Sequence, residues 1–195
     1  MNAGMTQQKT LRVFIDTEFT DFINTDLISI GAAAENGSEF YGENLSYIKS
    51  WQTKWVGEHV VPLLDPVKFG MSRQELSTRL WVWIDELPCD NVIIMVDHKT
   101  DEALLLDLFN CDKHPKISAY QNLHNVIYST IDAQMKDIGG TDTDYHNRVT
   151  KVQKNFKFGF ANYFDRTREI QHHALSDAKA NREAWNCLVL NFGMP

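Results

Sequence analysis

At 195 residues, 43% of them hydrophobic and 11% aromatic, the chain is long enough to bury one sizeable core, which argues against disorder. A formal net charge of -7 excludes broad electrostatic coating of duplex DNA or an anionic membrane, but not carboxylates gathered around cations. Three cysteines, Cys89, Cys111 and Cys187, are odd in number and lack Cys-x-x-Cys spacing, so a reduced, cytoplasmic chain without structural zinc is expected.

Residues 1–10 are polar and read as a flexible N-terminus, while 11–195 read as one domain. No apolar run suits a secretory signal or a bilayer span, so no membrane partner is expected. Leu11 to Phe19 reads as a strand whose end carries Asp16 and Glu18. Residues at i and i+2 of a strand share a face, so the two carboxylates converge and Thr17 points away. Such a pair in a cleft needs protons, hydrogen bonds or a hard cation, and magnesium or manganese suits oxygen ligands. The same pair can also be a solvated strand end.

Leu27 to Ala34 and Ser38 to Asn44 read as strands of a hairpin closed by a two-residue Asn36-Gly37 turn, with the loop from Thr20 to Asp26 at its rim. The spacing of Trp51, Trp55, Val56 and His59 predicts a helix between Ser50 and Leu64. Ser72 to Glu75 reads as a capping box that opens a helix ending at Pro88, in which Trp81 and Trp83 are packing residues. Val92 to Val96 is the continuous apolar run of a strand buried on both faces. Asp97 and Asp101 follow where that strand hands over to a helix, a place for a helix cap or for a ligand.

Ser118 to Gly140 is predicted to be one helix. From Thr141 to Ile170 helical periodicity is not evident. Cations including Lys151, Lys154 and Lys157 interleave there with Phe156, Phe158, Phe160, Tyr163 and Phe164, which fits either a single-strand-binding surface or a partly buried loop. Gln171 to Ala180 opens a closing helix with His172, His173 and Asp177 at its entry.

Taken together, Phe14-Ile15-Asp16-Thr17-Glu18-Phe19-Thr20, the acidic hand-over at Asp101 and His172-His173-Ala174-Leu175-Ser176-Asp177-Ala178 resemble the motifs of the DEDDh 3'-5' exonuclease superfamily. This is the ribonuclease H-like group of ribonuclease T, oligoribonuclease and the polymerase proofreading subunits. The second motif departs from the family pattern, lacking the aromatic before Asp101, so Asp97 stands as a rival ligand to the favoured Asp101. With no polymerase or helicase module in 195 residues, the chain is most similar to the small single-domain exoribonucleases.

The resemblance implies an α/β fold, with a mixed central sheet opened by an antiparallel hairpin and flanked by helices. It implies Asp16, Glu18, Asp101 and Asp177 as ligands of two magnesium or manganese ions, His172 rather than His173 as general base, and Thr17, Phe19 and Thr20 at the terminal nucleotide. The implied partner is single-stranded nucleic acid, RNA before DNA, and the oligomeric state is open between a monomer and a homodimer. Two other readings of the residues stay beside it: a non-catalytic nucleic-acid-binding domain of the same fold, and a haloacid-dehalogenase-like phosphatase. In the phosphatase Glu18 would stand where a second Asp belongs, and the histidine motif would go unexplained.

Overall fold

Alternate residues of Thr10–Phe19, the strand β1, serve two different cores. Val13 and Ile15 join one cluster of buried side chains and Phe14 joins another, because successive side chains of a strand leave on opposite faces. The computed structural model describes residues 9–194, so most of the expected flexible N-terminus, residues 1–8, lies outside the described residues.

From β1 the chain turns back through β2 (Leu27–Ala34), buried along its whole length, and β3 (Glu39–Asn44). Short helices α1 (Lys54–His59) and α2 (Pro66–Phe69) lead to a two-residue strand β4 (Gly70–Met71) and helix α3 (Arg73–Glu86). Strand β5 (Asn91–Val96), helix α4 (Lys99–Leu108) and strand β6 (Ile117–Asn122) follow. Three helices complete the chain: α5 (Leu123–Asp137), α6 (Asp142–Thr167) and α7 (Ala174–Phe192).

The sheet order is β4-β3-β2-β1-β5-β6. Strand β2 runs antiparallel to both β1 and β3, β4 pairs parallel with β3, and β5 and β6 continue parallel to β1. This is the expected α/β architecture, a mixed six-stranded sheet flanked by helices and consistent with a ribonuclease H-like fold. Leu76, Leu80 and Ile84 of α3 and Leu104 and Leu105 of α4 cover one face. Ile127 of α5, Phe156 of α6 and Trp185 of α7 cover the other. Trp185 has no exposed surface, and truncating a side chain of that size in a packed core costs about 3–5 kcal/mol.

Several local expectations are corrected. The hairpin turn has three loop residues, with Ala34 N–H donating to the Ser38 carbonyl and Gly37 N–H to the Ala34 carbonyl. Gly37 supplies the positive φ (90°) that such a loop needs at its last position. The helix expected over 50–64 breaks into a 3-10 turn, α1 and another 3-10 turn at Val61–Leu63, with Pro62 in the last and Thr53 capping α1. Ser72 accepts from Glu75 N–H as expected, but the Glu75 carboxylate pairs with Arg79 instead of closing a capping box. The helix predicted from Ser118 begins only at Leu123, because Ser118 to Asn122 extends the sheet and Asn122 then caps α5 by accepting from His124 and Asn125.

The largest correction concerns residues 141–170, which form the 26-residue helix α6 rather than a loop. Val152, Phe156, Gly159 and Tyr163 make its buried stripe at helical steps. Exposed Phe158 and a glycine in the stripe hide that period from a hydrophobicity reading. Most of the aromatics therefore belong to the core, while Lys151, Lys154 and Lys157 face solvent.

Candidate active site

Asp16 and Glu18 share parity with Phe14, so both leave β1 on the face covered by α5, α6 and α7. Thr17 leaves on the opposite face. Its hydroxyl and its amide both donate to Asp101 Oδ1, at 2.7 and 3.1 Å. The other oxygen, Oδ2, accepts from His98 N–H at 3.2 Å, closing the first turn of α4. Asp101 thus serves both alternatives open in the sequence, capping a helix and standing among the acidic residues.

Asp177 arrives on the first turn of α7. That turn approaches the sheet at Gly31, which pairs with Asp16 in the β1/β2 ladder. A Cβ at Gly31 would overlap the backbone of Ala174 and Leu175, so only glycine allows the helix this close. An isolated glycine inside an otherwise apolar strand was the available sequence signal for this residue.

His172 precedes the helix with a left-handed backbone (φ 64°), a conformation that costs a non-glycine residue on the order of 1 kcal/mol or more. The strained turn aims its N–H at Asp177 Oδ2, 2.9 Å away. Its ring meets the edge of Trp55, which itself stacks on His59 at 4.7 Å. His173 is the helix cap residue and turns elsewhere, stacking on Tyr41 at 4.3 Å.

The acidic side chains form two groups with no residue in common. Ligand atoms of Glu18, His172 and Asp177 lie within 4.8 Å of one another, and so do those of Asp16, Asp97 and Asp101. The structure therefore keeps both Asp97 and Asp101 at the site instead of choosing between them. Asn122 contributes by donating to the Asp97 carbonyl, which ties the end of β6 to the end of β5.

Burial and mutual repulsion both favour protons on these groups. Desolvation, then the charges of Asp101, Asp177, Glu18 and Asp97, raise the Asp16 pKa well above the usual carboxylate range. Burial, then Asp177 and Asp101, push Glu18 to about 8. Desolvation raises Asp101 to about 7 against the lowering effect of the Thr17 hydroxyl, and raises Asp177 to about 7 against the His172 amide. His172 is held below the usual imidazole value by burial and by nearby His59.

Asp177 Oδ1 is buried without a hydrogen-bond partner among the described residues. An orphaned carboxylate oxygen of this kind, within a set of hard oxygen donors that repel one another, fits a divalent cation such as magnesium or manganese.

The expected nucleotide-seating residues have assorted places. Phe19 packs edge-to-face on Phe22 at 5.0 Å. Thr20 is buried, its hydroxyl donating to the Asn24 carbonyl and accepting from Asp26 N–H, so it braces the 20–26 loop. Thr17, on the face of β1 opposite Asp16 and Glu18 as expected, is committed to Asp101. A cavity of about 420 Å³ opens beside Glu18 and His172, walled by Phe19, Phe22, Thr53 and Trp55.

A carboxylate cluster with one histidine stands at the ends of β1 and β5 and the start of α7, and its ligand atoms could hold a metal ion. No family model matches the chain. Two Mycobacterium tuberculosis proteins, from different strains and both named 3'-5' exoribonuclease, are each 34% identical to it over 91 residues, covering 38% of this chain and 54% of the relative. The chain therefore spans about half the length of the curated relatives it matches.

Proposed function

We propose that this chain is a metal-dependent 3'-5' exonuclease that hydrolyses single-stranded RNA from its 3' end and releases 5'-mononucleotides. The observation that carries this reading is the convergence of Asp16, Glu18, Asp97, Asp101 and Asp177 with His172, and the orphaned Asp177 oxygen among them. The names of the two M. tuberculosis relatives support RNA as the substrate.

In this reading Asp16, Glu18, Asp101 and Asp177, joined by Asp97, hold magnesium or manganese. When bound, the cations supply Lewis acidity at the scissile phosphate and neutralise its developing charge. His172 accepts the proton of the attacking water. Its lowered pKa keeps the imidazole neutral and able to act as a base near pH 7. The water oxygen bonds to phosphorus, the bond from phosphorus to the upstream 3'-oxygen breaks, and that oxygen leaves and takes up a proton. The terminal nucleotide departs with its 5'-phosphate.

The cavity beside Glu18 and His172 seats that nucleotide, with Phe19 and Trp55 as walls. Thr17 and Thr20 act behind it, Thr17 by holding Asp101 and Thr20 by holding the loop that carries Phe22. No described helix is long and apolar enough to cross a membrane. Free thiols at Cys89, Cys111 and Cys187 support the cytoplasm as the compartment.

Matched single-stranded RNA and DNA labelled at the 5' end, incubated with manganese, test the reading. The expected result is a ladder of 5'-labelled RNA shortened from the 3' end, with 5'-mononucleotides released. Preferential DNA shortening would replace the substrate, and no shortening of either would leave a binding domain of this fold.

A further inference from the structure

A second cavity, of about 320 Å³, adjoins the carboxylates on the side away from the first. The first shares Glu18 and His172 and leans on α1, beyond β2, whereas the second shares Asp97 and lies between α5, α6 and α7, beyond β5. The two thus open on opposite sides of the end of β1. We propose that the second cavity is a nucleobase subsite for the residue on the 5' side of the scissile phosphate. This assignment rests on the nuclease reading above.

Its lining has the two components that a base requires. His124 and Tyr128 of α5 and Phe156 and Phe160 of α6 offer ring faces and edges for stacking. Asn181, on α7 one turn beyond Asp177, offers the polar contact. It is 2% exposed, and its carboxamide oxygen has no hydrogen-bond partner among the described residues. A buried carboxamide in the wall of a ring-lined cavity fits the polar edge of a base. The volume falls within the range of small-ligand pockets, roughly 300–1,000 Å³.

Charge agrees with this assignment. In a chain of net charge -7, Lys157 stands at the cavity, and exposed Lys154 and Lys151 continue from it along α6 at three-residue steps. Residues so spaced are neighbours on a helix surface, and a line of ammonium groups leading away from a base pocket fits successive phosphates. Gln153 donates to the Tyr128 hydroxyl, which links α5 to α6 at the cavity.

The test compares two substrates on the whole chain with manganese: a single-stranded RNA heptamer, and the p-nitrophenyl ester of a nucleoside 5'-monophosphate, which has no upstream base. Tyr128→Ala and Lys157→Ala alter exposed side chains, and Asn181→Ser probes the buried carboxamide. The expected result is a fall of at least tenfold in the ratio of kcat/KM for heptamer to kcat/KM for ester, in Tyr128→Ala and Asn181→Ser, with a smaller fall in Lys157→Ala. An unchanged ratio in the two exposed variants, with wild type active on both substrates, overturns the subsite and leaves the nuclease reading standing. A wild type inert toward both substrates overturns the nuclease reading and the subsite with it.

Discussion

Gly31 stands opposite Asp16 in the β1/β2 ladder, and the backbone of Ala174 and Leu175 occupies the space its missing side chain leaves. The close approach sets the distance from Asp16 to Asp177, so a glycine with no chemistry of its own controls the geometry of the carboxylates. Gly31→Ala should push α7 outward. Overpacking of this kind costs about 1–3 kcal/mol. Thermal melting should show a loss of several degrees, and nuclease turnover should fall at least tenfold. Wild-type turnover in the variant would show that the approach is not required.

Asp97 and Asp101 both stand with Asp16, yet only Asp101 also accepts from Thr17 and His98. Asp97→Asn and Asp101→Asn should each nearly abolish turnover. Removing either charge relieves repulsion, so their difference in stability isolates the hydrogen bonds. Asn at 101 turns a donor toward His98 N–H, and a lost helix cap costs about 0.5–2 kcal/mol. Asp101→Asn should therefore melt below Asp97→Asn. Equal melting temperatures would remove the bracing role.

The histidines divide by geometry. His172 lies with Glu18 and Asp177, whereas His173 stacks on Tyr41. His172→Ala should lose most turnover, and His173→Ala much less, in single-turnover assays that separate chemistry from binding. The reverse order would reassign the base.

Without metal, stability should fall as pH rises. Glu18 carries a folded-state pKa of about 8 against an ordinary 4.5, and Asp101 and Asp177 about 7 against 3.8. A raised carboxylate pKa means the native state holds its proton more tightly than the unfolded chain. Its stabilisation is complete below the ordinary value and is lost as pH climbs through the folded one. Melting in chelator should therefore decline between pH 5 and 8.5, and Asp16→Asn, with one charge fewer, should decline less. A flat or rising wild-type profile would contradict the crowding of these groups.

The legibility of the fold varied with the kind of signal. The strand carrying Asp16 and Glu18, the buried β5 and the capped α3 stand out because alternation, apolar run and Ser72 are each local. Helix α6 does not, since Gly159 interrupts its apolar stripe and Phe158 adds an exposed aromatic. Asn122 ends a strand and caps a helix at once, which hides the boundary inside an apparently continuous period. Among the site residues, the acidic motifs are visible as short patterns. The roles of Gly31, Trp55 and Asn181 depend on chain segments more than 100 residues apart or on neighbouring helices, and no local pattern encodes them.

Manganese titration followed by thermal melting, on wild type, Asp16→Asn and Asp177→Asn, tests most directly whether the carboxylates form one cation site. A ligand bound only by the native state, at a concentration a hundredfold above Kd, adds about 2.7 kcal/mol. At roughly 2–4 °C per kcal/mol for a domain of this size, wild type should melt about 5–11 °C higher. Each variant should melt at or above wild type without metal, because repulsion is relieved, and should gain little from manganese. An equal gain in all three proteins would show that Asp16 and Asp177 do not share a cation, and would contradict the account.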